Sequence, residues 1–367
     1  MTQPLVSITV CVRNGAKWVD HCLQSLRQQT YDAYEIIVVD DGSTDHTRDE
    51  LNKWDDPDGV RGPKVKILSQ QPLGLSAARQ HALEHAKGDW VAITDIDVRP
   101  EANWISNLMN AYTSSSEDEK IVAVTGRTMF GLGPDPVSIL RSMEIERKYK
   151  SRSRYTSLAN GPCSMFQKQA LEKVGGFGTN WYHAEDMEVS LLLILDGGKI
   201  LYASDAVVHH VPETGLKRFL GKRKRDARAH VRIVRKYPRK KRAQNTFDFL
   251  GSSMTVLLST ILFLNILLLC SLTISMWQSP FKPEFTSEVY WIAVLMLFYE
   301  VFMWTGTLGA VHIHSLRNSA TFKLIMTIKI RFIIVFWGLA LLVGIVQGCI
   351  DAVTMKNGHP RLLSKRI

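Results

Sequence analysis

The sequence predicts an α/β domain followed by a helical region that enters a membrane. Three observations carry this. β-branched apolar runs alternate with amphipathic stretches over the first 215 residues, a dense basic segment follows, and long apolar runs fill the last third. The chain has 367 residues, enough for two or three domains, and 46% of them are apolar. That composition excludes a disordered or collagen-like chain.

The first segment is assigned residues 1–215. Ser7–Val12 is a short apolar run that stops at Arg13-Asn14-Gly15. Trp18, Val19, Cys22, Leu23 and Leu26 then recur at steps of three and four, the mark of a helix. Glu35–Val39 is a second strand, ended by Asp40-Asp41-Gly42-Ser43, with a helix expected from near Thr44. Val65–Leu68 is a third strand, Ser76–Ala86 a helix and Trp90–Thr94 a fourth strand. Buried strands alternating with helices argue a largely parallel sheet covered on both faces. Such sheets bind ligands at the carboxyl ends of their strands.

Residues 216–248 form the second segment. Its first 28 residues, 216–243, hold fourteen Lys/Arg against a single acid, Asp226, which exceeds the net charge of the whole chain, +10. One concentrated basic segment, rather than an extended basic face, argues against a nucleic-acid partner. It argues for membrane lipids or a phosphate. Leu216, Phe219, Leu220, Val231, Ile233 and Val234 are spread among the charges, as in an interfacial helix, and Pro238 limits its length.

The third segment, 249–367, carries three expected spans. Residues 251–277 hold no charge, and at about 1.5 Å per residue they make about 40 Å of helix against about 30 Å of hydrocarbon. Residues 289–311 are broken only by Glu300, and 332–350 are uncharged. The basic segment before the first span places residues 1–243 in the cytosol by the positive-inside rule, and residues 312–331, with Arg317, Lys323, Lys329 and Arg331, fall back to that side. Three crossings would then put the tail outside, against its Lys356, Arg361, Lys365 and Arg366, so either the tail breaks the rule or one span is re-entrant. Met1–Asn14 reads as a strand and not as a signal peptide. The five cysteines are scattered and suggest neither a disulfide framework nor a zinc site.

The chemistry-bearing residues sit where these elements end. Asp95-Ile96-Asp97 follows a buried strand directly, and two carboxylates so placed can clamp a hard cation such as Mn2+ or Mg2+, which neutralises a diphosphate. The alternative is a solvated turn with a helix cap. Asp40 and Asp41 end the second strand, either accepting hydrogen bonds from a nucleotide base or capping a turn. Arg79 lies near the start of a helix, either reaching a phosphate or on the surface. Glu185-Asp186 follow Gly175-Gly176-Phe177-Gly178 and Trp181-Tyr182 and open another helix, whose dipole favours an ionised carboxylate, either able to act as general base or capping the helix without chemistry. His209-His210 follow the strand Ala206–Val208 and either offer a third metal ligand, assigned to His210, or are ordinary strand-end histidines.

In order, Arg13-Asn14, Val39–Asp45, Asp95-Ile96-Asp97, Gly175-Gly176-Phe177, Glu185-Asp186 and Val208-His209-His210 resemble family 2 glycosyltransferases over residues 5–212. The resemblance implies a GT-A fold, Rossmann-like with a mostly parallel central sheet. It also implies a nucleotide-diphosphate sugar donor with uridine favoured, a divalent metal, and inversion at the anomeric carbon. By resemblance, Arg13, Asp40 and Asp41 hold the base and Arg79 lies near the nucleotide. Asp95 and Asp97 hold ribose, diphosphate and metal, and Asp186 is the general base. Asn160–Ser164 lie near the acceptor, and Glu185, Arg225 and Arg228 fall on the acceptor or phosphate side.

The chain departs from the common pattern at several places. Arg13 stands where many members have Tyr, Val98 where many have a further Asp, and Leu192 where many have Arg. The Gln-x-x-Arg-Trp element of processive members is replaced by Arg223-Lys224-Arg225-Asp226-Ala227-Arg228. The expected activity is therefore transfer of one sugar to a hydroxyl of a lipid-linked acceptor at the cytosolic face. The alternatives are a polyprenyl-phosphate glycosyl synthase, a processive polysaccharide synthase and a non-catalytic membrane scaffold. The sugar and the oligomeric state are left open.

Overall fold

The computed structural model describes residues 3–133, 135–150, 152–179, 183–237, 249–277, 287–314 and 318–356. Trp181, Tyr182, Arg317, the basic run 239–242 with Pro238, and the tail cations Arg361, Lys365 and Arg366 lie outside these residues.

The first strands are the apolar runs read from the sequence. β1 (Val6–Val12), β2 (Tyr34–Asp41), β3 (Val65–Gln70) and β4 (Trp90–Asp95) pair in parallel, with β1 between β2 and β4 and β3 on the outer edge of β2. Their side chains alternate between two cores. Ile36 and Val38 face Val19, Leu23 and Leu26 of α1 (Ala16–Arg27), and their neighbours Ile37 and Val39 face Ala78 and Ala82. Between β2 and β3 lies α2 (Thr47–Asn52), and α3 (Leu75–His85) carries Ala78 and Ala82. α2 starts at Thr47 and not near Thr44, because the Thr44 amide donates to Asn14 Oδ1 at 2.8 Å and Asp45 accepts from the Thr47 amide.

After β4 come the short β5 (Val98–Pro100), α4 (Trp104–Thr113), β6 (Ile121–Phe130), α5 (Pro136–Lys150), β7 (Tyr155–Thr156) and β8 (Ser164–Gln167). α6 (Lys168–Lys173), α7 (Glu185–Leu195) and β9 (Lys199–His210) complete the sheet, in the order β3-β2-β1-β4-β8-β6-β9-β5 with β7 also on β9. The sheet is parallel from β3 to β4, as expected. Beyond β4 it is mixed: β8 is antiparallel to both β4 and β6, β5 and β7 are antiparallel to β9, and β6 and β9 run parallel. β8 is short and buried, and its Ser164 hydroxyl is tied to Thr125 of β6, a pairing too distant in sequence for periodicity to reveal.

The basic segment forms α8 (Leu216–Lys236), which ends before Pro238 because a residue preceding proline avoids helical geometry. Three long helices follow: α9 (Phe249–Trp277), α10 (Ser287–His314) and α11 (Ala320–Thr354). Two stretches, Trp291–Ile313 and Ala320–Thr354, are long and apolar enough to cross a membrane, and the described apolar stretch of α9 is Val256–Leu268. Leu295, Phe298 and Phe302 of α10 point outward, where only an apolar medium suits them.

The expected third span, 332–350, lies within α11, and the helix starts earlier, at residue 320, so Lys323, Lys329 and Arg331 are helical as well. Arg331 is buried because it meets Glu300 of α10 at 2.6 Å and Ser259 of α9 at 3.1 Å. A charge among apolar helices persists only when paired in this way. The same pair explains the charge at 300 that interrupts the second apolar run.

α8 packs along the C-terminal half of α11. Gly344 and Gly348, one turn apart, let the backbones approach. A Cβ at 344 would lie 2.3 Å from the Lys224 carbonyl, and one at 348 would lie 2.8 Å from Val231 Cβ. Gly344→Leu or Gly348→Leu is expected to cost about 1–3 kcal/mol by overpacking. α8 would then detach more often, and tryptic cleavage within 217–236 would accelerate about tenfold. An unchanged cleavage rate would contradict this packing.

Candidate active site

The parallel register brings strand ends together. Val12 of β1 lies opposite Asp40 of β2, and Cys11 lies opposite Asp95 of β4. Asp40 turns its carboxylate to the Ser43 amide at 3.0 Å and so shapes the loop after β2. Asp41 accepts from Gln70 Nε2 and the Leu73 amide at 2.8 Å each, and from the Gly74 amide at 2.9 Å. Both expected base-binding acids are thus buried and also build the rim. Asn14, in the left-handed region at φ 53°, ties the β1 and β2 loops through Ser43 and Thr44. Arg13 is exposed on that rim.

Asp95 and Asp97 bracket the turn from β4 into β5. β5 pairs antiparallel with β9 so that Val98 faces His210, which carries the imidazole to Asp97. His210 Nε2 is 3.5 Å from Asp97 Oδ1, and the donor atoms of Asp95, Asp97 and His210 all lie within 4.8 Å of one another. His210 Nδ1 sits 2.8 Å from the Val211 carbonyl, which only accepts, so Nδ1 donates there and Nε2 is the nitrogen turned to the carboxylates. Phe130 stacks on the ring and fixes its plane. Two carboxylates and an imidazole are a donor set suited to Mn2+ or Mg2+. His209 is directed elsewhere, to Glu101 at 2.9 Å.

Arg79 is not a surface arginine. Its side chain is 3% exposed, and it pairs with Glu185 on one side and with Asp95 at 3.0 Å on the other. Glu185, expected on the acceptor side, is buried and directed to Arg79. A guanidinium presents donors in a rigid fork, so one side chain holds two carboxylates at a fixed separation. The backbone of Gly161 crosses directly above: a Cβ there would be 3.0 Å from Arg79 Nη2 and 3.4 Å from Asp186 Oδ2. Any side chain there would press on both.

Asp186 completes the cleft. The Gly161 amide donates to Oδ2 at 3.0 Å and the Met187 amide to Oδ1 at 2.8 Å. Burial and the neighbouring Glu185 push its pKa up to about 6, against the pull of Arg79. The carboxylate is therefore ionised at neutral pH yet basic enough to take a proton. Ala184, just before it, has φ 65°, a costly conformation for a residue with a Cβ, and it turns the chain so that Glu185 and Asp186 enter the cleft together. Arg79 thus sits between Asp95 and the Glu185-Asp186 pair, and Asp97 and His210 adjoin Asp95. Arg225 and Arg228 stand apart on α8, where Arg228 pairs with Asp351 at 2.8 Å. The Arg79–Glu185 pair, the Gly161 amide and the Ala184 turn carry no sequence signal of their own.

Comparisons with known proteins agree with this arrangement. The model of glycosyl transferase family 2 matches residues 7–175, and that of glycosyl transferase family group 2 matches residues 141–305. A putative glycosyltransferase, EpsH of Bacillus subtilis (strain 168), is 32% identical over 136 residues, 35% of this chain and 38% of that protein. The pre-mycofactocin glycosyltransferase of Mycobacterium tuberculosis (strain ATCC 25618 / H37Rv) is 25% identical over 225 residues, 59% of this chain and 45% of that one. The chain spans less than half the length of these curated relatives. Among solved structures, the mannosyltransferase PcManGT from Pyrobaculum calidifontis superposes with a TM-score of 0.57 at 20% identity, over 93% of this chain and 88% of that one. The chain belongs to the family 2 glycosyltransferases, with the GT-A fold.

The raised pKa of Asp186 has a sign that can be tested. The folded state favours the protonated acid more than the unfolded chain does. Its contribution is full below the unfolded value, 3.8, and is lost as pH rises through about 6. At pH 7.5 the ionised carboxylate therefore costs on the order of 1–3 kcal/mol. Asn keeps only one of the two acceptor oxygens, so the pH dependence carries the test: the Tm of Asp186→Asn relative to the wild type is expected to rise by a few degrees between pH 4 and pH 7.5. A difference that does not change over this range would contradict the assigned environment.

Proposed function

We propose that the chain transfers one sugar, with inversion, from a nucleotide-diphosphate donor to a hydroxyl of a lipid-linked acceptor. Residues 1–215 are the catalytic unit, 216–248 an interfacial segment and 249–367 the membrane region, with the catalytic unit on the cytosolic side. The observation that carries this reading is the half-buried carboxylate of Asp186. It is held by two backbone amides, and Arg79 ties it, through the adjacent Glu185, to Asp95 of the cation-binding set. A donor nucleotide sugar is supported by the fold's similarity to PcManGT, whose structure was solved with GDP-Man and Mn2+. A uridine preference follows from the resemblance of the motifs.

The acceptor oxygen attacks the anomeric carbon while its proton passes to Asp186. The bond from that carbon to the diphosphate breaks, and the nucleoside diphosphate leaves with the electron pair. Asp95, Asp97 and His210 would hold Mn2+ or Mg2+, and such an ion, when bound, neutralises the diphosphate. Arg13, Asp40 and Asp41 line the nucleotide end. Arg79 keeps Asp95 and the Glu185-Asp186 pair at one separation. A polyprenyl phosphate accepting sugar directly is already an anion and needs no base, so the placement of Asp186 favours a hydroxyl nucleophile.

The test is a screen of nucleotide sugars with purified protein, Mn2+ and a membrane lipid extract, with products weighed by mass spectrometry. Asp186→Asn is expected to lower transfer at least a thousandfold while nucleotide binding stays within about twofold. A single-sugar lipid product supports the proposal. Full transfer by the variant, or a polymer ladder from the wild type, would overturn it.

A further inference from the structure

α8 presents three faces. Asp226 meets His183 in the loop before Asp186 at 2.6 Å, and Tyr237 meets Glu188 of α7 at 2.8 Å. Ala227 and Val231 meet Gly344 and Gly348 of α11. The third face, roughly opposite Asp226, carries Lys217, Gly221, Lys224 and Arg228 at helical spacing and opens on a cavity of about 440 Å3. Arg218, Arg225 and Gln347 complete the lining.

Five of the seven lining residues are cations. Arg228 is paired with Asp351 of α11 and Arg218 lies near Asp97, and Lys217, Lys224 and Arg225 add positive charge to the same opening, a field that favours an anion. The cavity holds about fifteen waters' worth of space, ample for a diphosphate. Arg218 links it to the reaction cleft, with Nη2 4.0 Å from Asp97 Oδ2. Beside Gln347, Val343, Val346, Ile350 and Val353 form one outward apolar stripe on α11, each about half exposed or more. A basic cavity next to an apolar stripe fits a ligand with a phosphate head and a hydrocarbon tail.

We propose that this cavity binds the phosphate or diphosphate of the acceptor lipid. Its chain lies along the α11 stripe and its sugar reaches the cleft past Arg218. This rests on the sugar-transfer reading and adds the acceptor's class: an anionic, phosphate-linked lipid rather than a neutral glycolipid. The anion sits away from the base, so the nucleophile is a hydroxyl further along the acceptor and the phosphate is a handle.

The test is equilibrium binding of radiolabelled farnesyl diphosphate to the full chain in neutral detergent, with inorganic diphosphate, farnesol and UDP as competitors. Inorganic diphosphate and farnesol are each expected to compete at least tenfold more weakly than unlabelled farnesyl diphosphate. The triple variant Lys217→Gln, Lys224→Gln, Arg225→Gln is expected to bind at least tenfold more weakly. Equal competition by inorganic diphosphate would assign the cavity to a soluble anion, and competition by UDP would assign it to the donor. Either result overturns the proposal, as does unchanged binding by the variant. Binding of UDP with Mn2+ to the wild type is measured in parallel. If it is present while farnesyl diphosphate does not bind, the cavity assignment fails alone. If it is absent, the sugar-transfer reading fails.

Discussion

A buried guanidinium fixes the geometry of this protein's cleft. Arg79 comes from α3, Asp95 from the end of β4 and Glu185 from the start of α7, 106 residues further along the chain than Arg79. Each carboxylate alone would resist burial, and so would the arginine. Together they satisfy one another, and the planar fork sets their spacing. Asp186 inherits its position from this frame, because Glu185 precedes it directly and Gly161 closes over both it and Arg79. The cation-binding set inherits its position as well, through Asp95.

A second constraint comes from α8. It is tied to the loop before α7 by His183–Asp226, to α7 by Lys236 and Tyr237 on Glu188, and to α11 by Arg228–Asp351 and the two glycines. One helix thus connects the loop before Asp186 to the long apolar helix. On the proposed reading this connection keeps Asp186 and the apolar helix at a constant separation.

Much of this was legible because the informative residues are local. Asp95 and Asp97 follow a β-branched run directly, so their place at a strand end follows from chain order alone. Val19, Cys22, Leu23 and Leu26 announced α1 by spacing, and all four are buried. The unread parts depend on distant pairing. β8 enters the sheet between β4 and β6, and nothing in Ser164–Gln167 says which strands it will join. Arg79 looked like a phosphate ligand or a surface residue because its partners lie far off in sequence. Lys323, Lys329 and Arg331 lay outside the expected spans because charge ordinarily bounds one, and the helix continues through them with Arg331 neutralised by Glu300.

The most direct measurement of the central claim is a double-mutant cycle in thermal unfolding, using Arg79→Met, Glu185→Gln and the pair. Each single change leaves a buried group without its partner and is expected to lower Tm by several degrees, a loss of about 3–5 kcal/mol. The double variant should recover much of that loss, since the most deeply buried pair is then removed whole. Additive losses in the double variant would show that the two side chains do not depend on each other, and would contradict the account.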